Sequence, residues 1–94
     1  MNFRKVGKNI LLAVCDVEIL GKTLHRGDVD FHIKEKFYKG AKVDIEEAVA
    51  KMQSCNIVNL VGQNIVDRAV EHGYVHPEAV LKIEGVPHAQ IVKI

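Results

Sequence analysis

Tryptophan is absent from this chain of 94 residues, aromatic residues make up only 5% of it, and it holds two cysteines and two prolines. Cys15 and Cys55 are far apart and form no CxxC pair. Both are therefore expected as small buried hydrophobes rather than as a disulfide. Net charge is nearly absent as well, since 13 lysines and arginines against 12 acidic residues leave +1. That balance excludes a histone-like polybasic protein and an acidic disordered tail. Long hydrophobic runs are missing too. The stretch from Ile10 to Cys15 is too short for a signal-peptide core and has no small-residue cleavage site behind it. Every apolar stretch falls far short of the ~18 residues of a membrane-spanning helix. A soluble, cytoplasmic protein with no membrane partner is expected. No repeat, low-complexity tract or linker divides the chain, so one domain over residues 1–94 is expected. A chain of this size buries roughly 65% of its unfolded surface, enough for one core without metal or disulfide staples.

What is present is short-range periodicity, carried by 48% hydrophobic and 27% charged residues. Phe3 to Val6 and Ile10 to Val14 read as two strands joined by the turn Gly7-Lys8-Asn9. Asp16 is placed to cap a single helical turn from Val17 to Leu20, with Gly21 as its stop. Val29, Phe31 and Ile33 alternate with Asp30 and His32, the pattern of a strand wet on one face. Arg26-Gly27-Asp28 reads as the turn before it, although the same letters spell an integrin-binding tripeptide. Lys34 to Tyr38 reads as a brief helical turn ended by Gly40.

Asp44 and Glu47 form a capping box ahead of a helix from about Ile45 to Ser54, whose core stripe is Ile45, Ala48, Val49 and Met52. A strand over Asn56 to Val61 closes at Gly62. A second helix then covers Gln63 to His72, burying Ile65, Val66, Ala69 and Val70 and ending at Gly73. Val80 to Ile83 and Gln90 to Ile94 read as strands on either side of a turn over residues 84–88. This order predicts an α+β domain, with two helices packed on one face of a mixed, mainly antiparallel sheet of about five to six short strands.

Gly21-Lys22-Thr23 resembles the end of a phosphate-binding loop. The position that needs the first glycine of that loop holds Asp16, a carboxylate that would repel phosphate, so nucleotide hydrolysis is excluded. The five histidines show no zinc-ligand spacing, because Gly73 and Pro77 break the helix that would align His72 with His76. Neither a metal nor a cofactor is expected. Cys15, Asp16 and His88 are the only nucleophile-and-base set available, and the apolar run around Cys15 speaks for an inert thiol. No catalytic residue is assigned. Gly62 at the start of a helix offers exposed amides to an anion, with Asn59 and Gln63 as polar neighbours, or it is simply a tight turn.

The distribution of charge is more informative than its total. Residues 1–42 carry nine basic and five acidic side chains, and residues 43–94 carry four and seven. Lys34, Lys36, Lys39 and Lys42 are interleaved with Phe37 and Tyr38. Lysines can meet phosphates and an exposed aromatic can stack on an unpaired base.

Four blocks together resemble one family. They are Cys15-Asp16-Val17-Glu18-Ile19-Leu20-Gly21-Lys22-Thr23, Phe37-Tyr38-Lys39-Gly40, Asn59-Leu60-Val61-Gly62, and Gly85-Val86-Pro87-His88-Ala89-Gln90-Ile91-Val92, the last being the most specific. The chain is similar over essentially its whole length to the archaeal family called domain of unknown function 424. The resemblance implies a small, cytosolic archaeal protein of α+β type, associated with translation or RNA, and brings no catalytic residues with it.

Three functional expectations follow. The first is an accessory module that binds RNA or a ribonucleoprotein through Lys34, Lys36, Tyr38, Lys39 and Lys42. The second is a small-molecule site or enzyme built from Cys15, Asp16, Asn59, Gly62, His88 and Gln90. The third is a protein–protein adaptor, marked by an exposed apolar patch.

Overall fold

A continuous apolar run from Ile10 to Cys15 fills the second strand and suits a position with a neighbour on each side. In the computed structural model, which describes residues 1–34, 38 and 45–93, β1 (Asn2–Val6) and β2 (Asn9–Cys15) form an antiparallel hairpin. β2 then pairs in parallel with β5 (Ile57–Val61), placing Leu12 opposite Val58 and Cys15 opposite Val61. β7 (Val86–Val92) runs antiparallel to β5, and β6 (Leu81–Ile83) pairs with β7 at the far edge. The five strands lie in the order β1-β2-β5-β7-β6. With one parallel pair among four, the sheet is mixed and mainly antiparallel.

Both helices pack on one face of this sheet. α1 (Ile45–Met52) buries Ala48, Val49 and Met52, and α2 (Gln63–Glu71) buries Ile65, Val66 and Ala69. These side chains meet Leu12, Val14, Val58, Leu60 and Ala89 in the main core. At ~1.5–3 kcal/mol for each large side chain fully buried, this face supplies much of the driving force for folding. α1 stops two residues earlier than its periodicity predicts. There Lys93 Nζ donates to the carbonyls of Met52 and Gln53, at 2.9 and 3.3 Å, meeting the negative end of the helix with a cation. α2 ends as expected at Gly73, whose φ of 76° lets the Tyr74 amide reach the Ala69 carbonyl and its own amide reach that of Val70. That pair of bonds is a Schellman stop.

The opposite face carries a second layer. β3 (Thr23–Arg26) and β4 (Val29–His32) form a separate two-stranded sheet. Leu24 and Ile33, with Ile19 from a 3-10 turn at Val17–Ile19, pack on Val61 and Ile83 in a smaller core. β3 is unforeseen in the sequence, since Thr-Leu-His-Arg offers one apolar residue. The burial of Leu24 and pairing with β4 override its weak local signal.

The carboxy-terminal turn also differs from expectation. It is confined to Glu84 and Gly85, at φ 50° and 78°, and Pro87 and His88 belong to β7 instead of to a loop. Pro87 is tolerated inside the strand because the Gly62 carbonyl that its missing N–H would face accepts the Val66 amide at 3.1 Å instead, while its own carbonyl accepts the Gly62 amide at 2.9 Å. Gly40, Asp44 and Ile94, to which the sequence assigned a turn, a cap and a strand end, lie outside the described residues.

Candidate functional site

Three sequence blocks that lie far apart converge at one end of the sheet. The Asp16 amide donates to the Val61 carbonyl at 2.9 Å, and the Gly62 amide donates to the Pro87 carbonyl at the same distance. The Asp16 side chain makes no bond to its own 3-10 turn, which corrects its expected role as that turn's cap. It reaches across instead to α2, where its two oxygens accept the amides of Asn64 and Ile65 at 2.9 and 3.1 Å. Asp16 is 8% exposed, and a Cβ on Gly62 would stand only 2.3 Å from its Cγ. Gly62 thus leaves room for a carboxylate from the chain itself at the positive end of a helix, where the sequence left an anion site open. Burial holds the Asp16 carboxyl above its ordinary range, and the Asn64 and Ile65 amides pull it back in part.

Cys15 ends β2 beside this junction. Its thiol donates to the Asp16 carbonyl at 3.2 Å, and burial, reinforced by the Asp16 charge, pushes its pKa up to about 12. A thiol in that state is protonated at neutral pH and is not a nucleophile. His88 lies in the same cross-strand row, but Val61 stands between them, so the two residues are two strand spacings apart, roughly 10 Å. No hydrogen bond joins Cys15, the Asp16 carboxylate and His88 among the described residues.

The second face of the sheet, beyond the small core, carries a cleft of about 250 Å³. Strand parity builds its floor. Asn59 lies opposite Gln90, and Val61 opposite His88, which in turn faces Leu81 on β6. Successive residues alternate faces, so Asn59, Val61, His88, Gln90 and Leu81 all project away from the helices. Ala79, in a 3-10 turn at Pro77–Ala79, and Tyr38 line the cleft as well. Tyr38 is half-buried. Its phenol is held above the usual range by burial and, secondarily, by the nearby Cys15 thiol.

Several polar groups in the cleft are unengaged among the described residues. His88 lines it, and the buried Nε2 of that ring has no hydrogen-bond partner. Burial lowers the His88 pKa, so the imidazole is neutral at physiological pH. The side-chain amides of Asn59 and Gln90 are likewise bonded to no described residue. This corrects the expectation of His88 in a turn, for it is a half-buried strand residue whose ring lies 6.2 Å from that of Phe31.

The ligand set read from the sequence therefore divides. Asn59, His88 and Gln90 share the cleft, Cys15 borders it, and Asp16 and Gly62 belong to the junction on α2. Of the proposed RNA set, Lys34 is exposed and its carbonyl accepts the Tyr38 amide at 3.2 Å, which ties it to a residue of the cleft wall. Lys36, Lys39 and Lys42 lie outside the described residues, as does Phe37. Leu81 and Ala79 were missed, although the alternation of Asn59 with Leu60, and of His88 and Gln90 with Ala89, marks a second sheet face that is not wholly core.

The remaining histidines have local partners. His25 Nδ1 meets Asp30 at 2.5 Å, His32 Nδ1 meets Thr23 at 2.8 Å, His76 Nδ1 accepts the Glu78 amide, and His72 stacks on Tyr74. No group of three metal-ligating side chains occurs among the described residues, and no helix among them is long and apolar enough to cross a membrane.

Comparison with known proteins bears on the whole chain. The family model "Protein of unknown function (DUF424)" matches residues 3–94. A crystal structure of an uncharacterized conserved protein from Methanopyrus kandleri is similar at a TM-score of 0.82 and 26% identity, over 99% of this chain and 91% of that one. No curated protein matches.

Proposed function

This chain belongs to the DUF424 family, and we propose that it serves as a non-catalytic accessory module that binds RNA or a ribonucleoprotein in the cytoplasm, linked to translation. One observation carries the reading. The carbonyl of the exposed Lys34 accepts the Tyr38 amide, and Tyr38 forms a wall of a cleft whose amides and buried ring nitrogen have no partner among the described residues. A basic residue and a polar, aromatic-walled recess are thereby joined. Arg4, Lys5, Lys8, Lys22 and Arg26, the other described basic residues of the amino-terminal half, are all exposed and available to phosphate. An archaeal origin, implied by the sequence resemblance, accords with the Methanopyrus kandleri neighbour.

The state of Cys15 supports binding over catalysis, since a protonated thiol with no described base in contact cannot attack a substrate. The adaptor reading has less behind it. The exposed large apolar side chains Phe3, Val6, Val17, Val29, Leu81 and Val92 are spread over five separate elements.

Fluorescence anisotropy with a labelled single-stranded RNA at rising salt tests the proposal. The expected result is binding that weakens steeply with salt. Lys34→Glu combined with Lys36→Glu should flatten the dependence by about 0.7 in log–log slope for each phosphate no longer neutralised. Failure to retain RNA at low salt, or binding indifferent to salt and to these substitutions, contradicts it.

A further inference from the structure

We infer that, within this RNA-binding reading on which the inference rests, the cleft is the subsite for a single unpaired nucleobase, bonded by Asn59 and Gln90, walled by His88 and flanked by Tyr38. Four observations lead there. The first is His88, which lines the cleft and whose buried Nε2 has no partner among the described residues, where side-chain nitrogens in folded proteins nearly always have one. A neutral imidazole adds no charge to the wall, which suits an uncharged ring.

Secondly, Asn59 and Gln90 face each other across adjacent strands, with amides that no described residue engages. Each primary amide presents a donor and an acceptor in one plane. That pattern complements the paired donor and acceptor positions on a base edge, as in side-chain amides that read adenine.

Thirdly, the lining has no lysine, arginine, aspartate or glutamate among the described residues. A phosphate or carboxylate would enter the cleft uncompensated, whereas a base enters it neutral and leaves its phosphates outside, on the side of Lys34. Val61, Ala79 and Leu81 supply apolar contact for a ring face, and Leu81 is 41% exposed.

The fourth observation is size. At about 250 Å³ the cleft lies below the roughly 300–1,000 Å³ of pockets for drug-sized ligands. One planar ring system fits that space and a dinucleotide does not. A base within a duplex keeps its edge and faces engaged, so only a splayed, unpaired base can enter.

The test titrates the full chain with a single-stranded RNA octamer, with the same sequence as a duplex, and with the free nucleosides adenosine and uridine. Binding is followed by anisotropy or competition, and cleft occupancy by the imidazole ¹⁵N resonances of His88. The inference expects the octamer to move the His88 Nε2 resonance and the duplex to leave it unmoved. Gln90→Ala, on an exposed side chain, should weaken octamer binding about three- to tenfold, and Asn59→Ala and His88→Phe by similar factors. Should His88→Phe fail to fold, Gln90→Ala still decides the matter.

Octamer binding that leaves His88, Asn59 and Gln90 indifferent overturns the inference while the RNA-binding reading stands. A nucleoside that shifts His88 when no RNA binds supports the base subsite and overturns the RNA-binding reading. Absence of binding by every probe overturns both.

Discussion

Asp16 illustrates how one side chain can look catalytic in sequence and be architectural in space. Beside a cysteine, with a histidine elsewhere, it invites a nucleophilic reading, yet its oxygens serve two helix amides. Removing it strands those amides in a buried place, so Asp16→Ala should cost about 1–3 kcal/mol in denaturant unfolding. Asp16→Asn keeps one acceptor and sheds a partly desolvated charge, and should cost clearly less. The direction of its pKa leads to the same expectation. With its folded value raised by burial, the contribution of Asp16 to stability is full below the unfolded value of ~3.8 and is lost as pH rises through the folded one. Gly62 is the counterpart. Its φ of 122° and the nearness of Asp16 leave no room for a side chain, so Gly62→Ala should destabilise by about 2–5 kcal/mol, the sum of backbone strain and overpacking. His88 and His25 separate by environment: burial lowers the first, while the hydrogen bond to Asp30 raises the second. An NMR titration should find His25 protonating at the higher pH. The stability that His88 contributes is present above its unfolded pKa, ~6.5, and is lost as pH falls through its depressed folded value.

At the scale of elements, the β6–β7 turn makes the sharpest prediction. Glu84 occupies a position of positive φ next to Gly85, the pair of conformations required by a two-residue hairpin turn. Asn at that position is better suited, so Glu84→Asn should raise stability by about 0.5–1 kcal/mol, read as a higher denaturant midpoint at an unchanged m-value. Elements with strong local signals were legible in the sequence. α1 and α2 follow their apolar stripes, and the central β2 and β5 follow their branched runs. β3 was not legible, because its one buried residue, Leu24, acquires meaning only against Ile19, Ile33, Val61 and Ile83. The length of β7 was obscured by Pro87, which usually ends a strand and here sits where its carbonyl alone is used. Asn59, His88 and Gln90 could be named from the sequence as polar candidates. Their assembly with Tyr38, Ala79 and Leu81 depends on strand register and on a crossing from one face to the other, which local pattern does not encode.

At the scale of the molecule, the sheet separates two tasks. One face carries both helices and the main core, while the other is shared between a small hairpin-capped core and the cleft. The near-zero net charge conceals an amino-terminal half with an excess of bases, whose described members are exposed. Cys15 and Cys55 are both free thiols held above their ordinary pKa, chiefly by burial. Alkylation by iodoacetamide at neutral pH should therefore be slow in the native protein and fast once it is unfolded. The central claim is that the junction of Asp16 with α2 is scaffold and the adjacent cleft is the binding site. Backbone and side-chain amide shift mapping during titration with single-stranded RNA tests it most directly. The expected perturbations centre on Lys34, Tyr38, Asn59, His88 and Gln90, with the amides of Asn64 and Ile65 unmoved. Perturbations centred on Gly62, Asn64 and Ile65, with the cleft residues silent, would contradict the account.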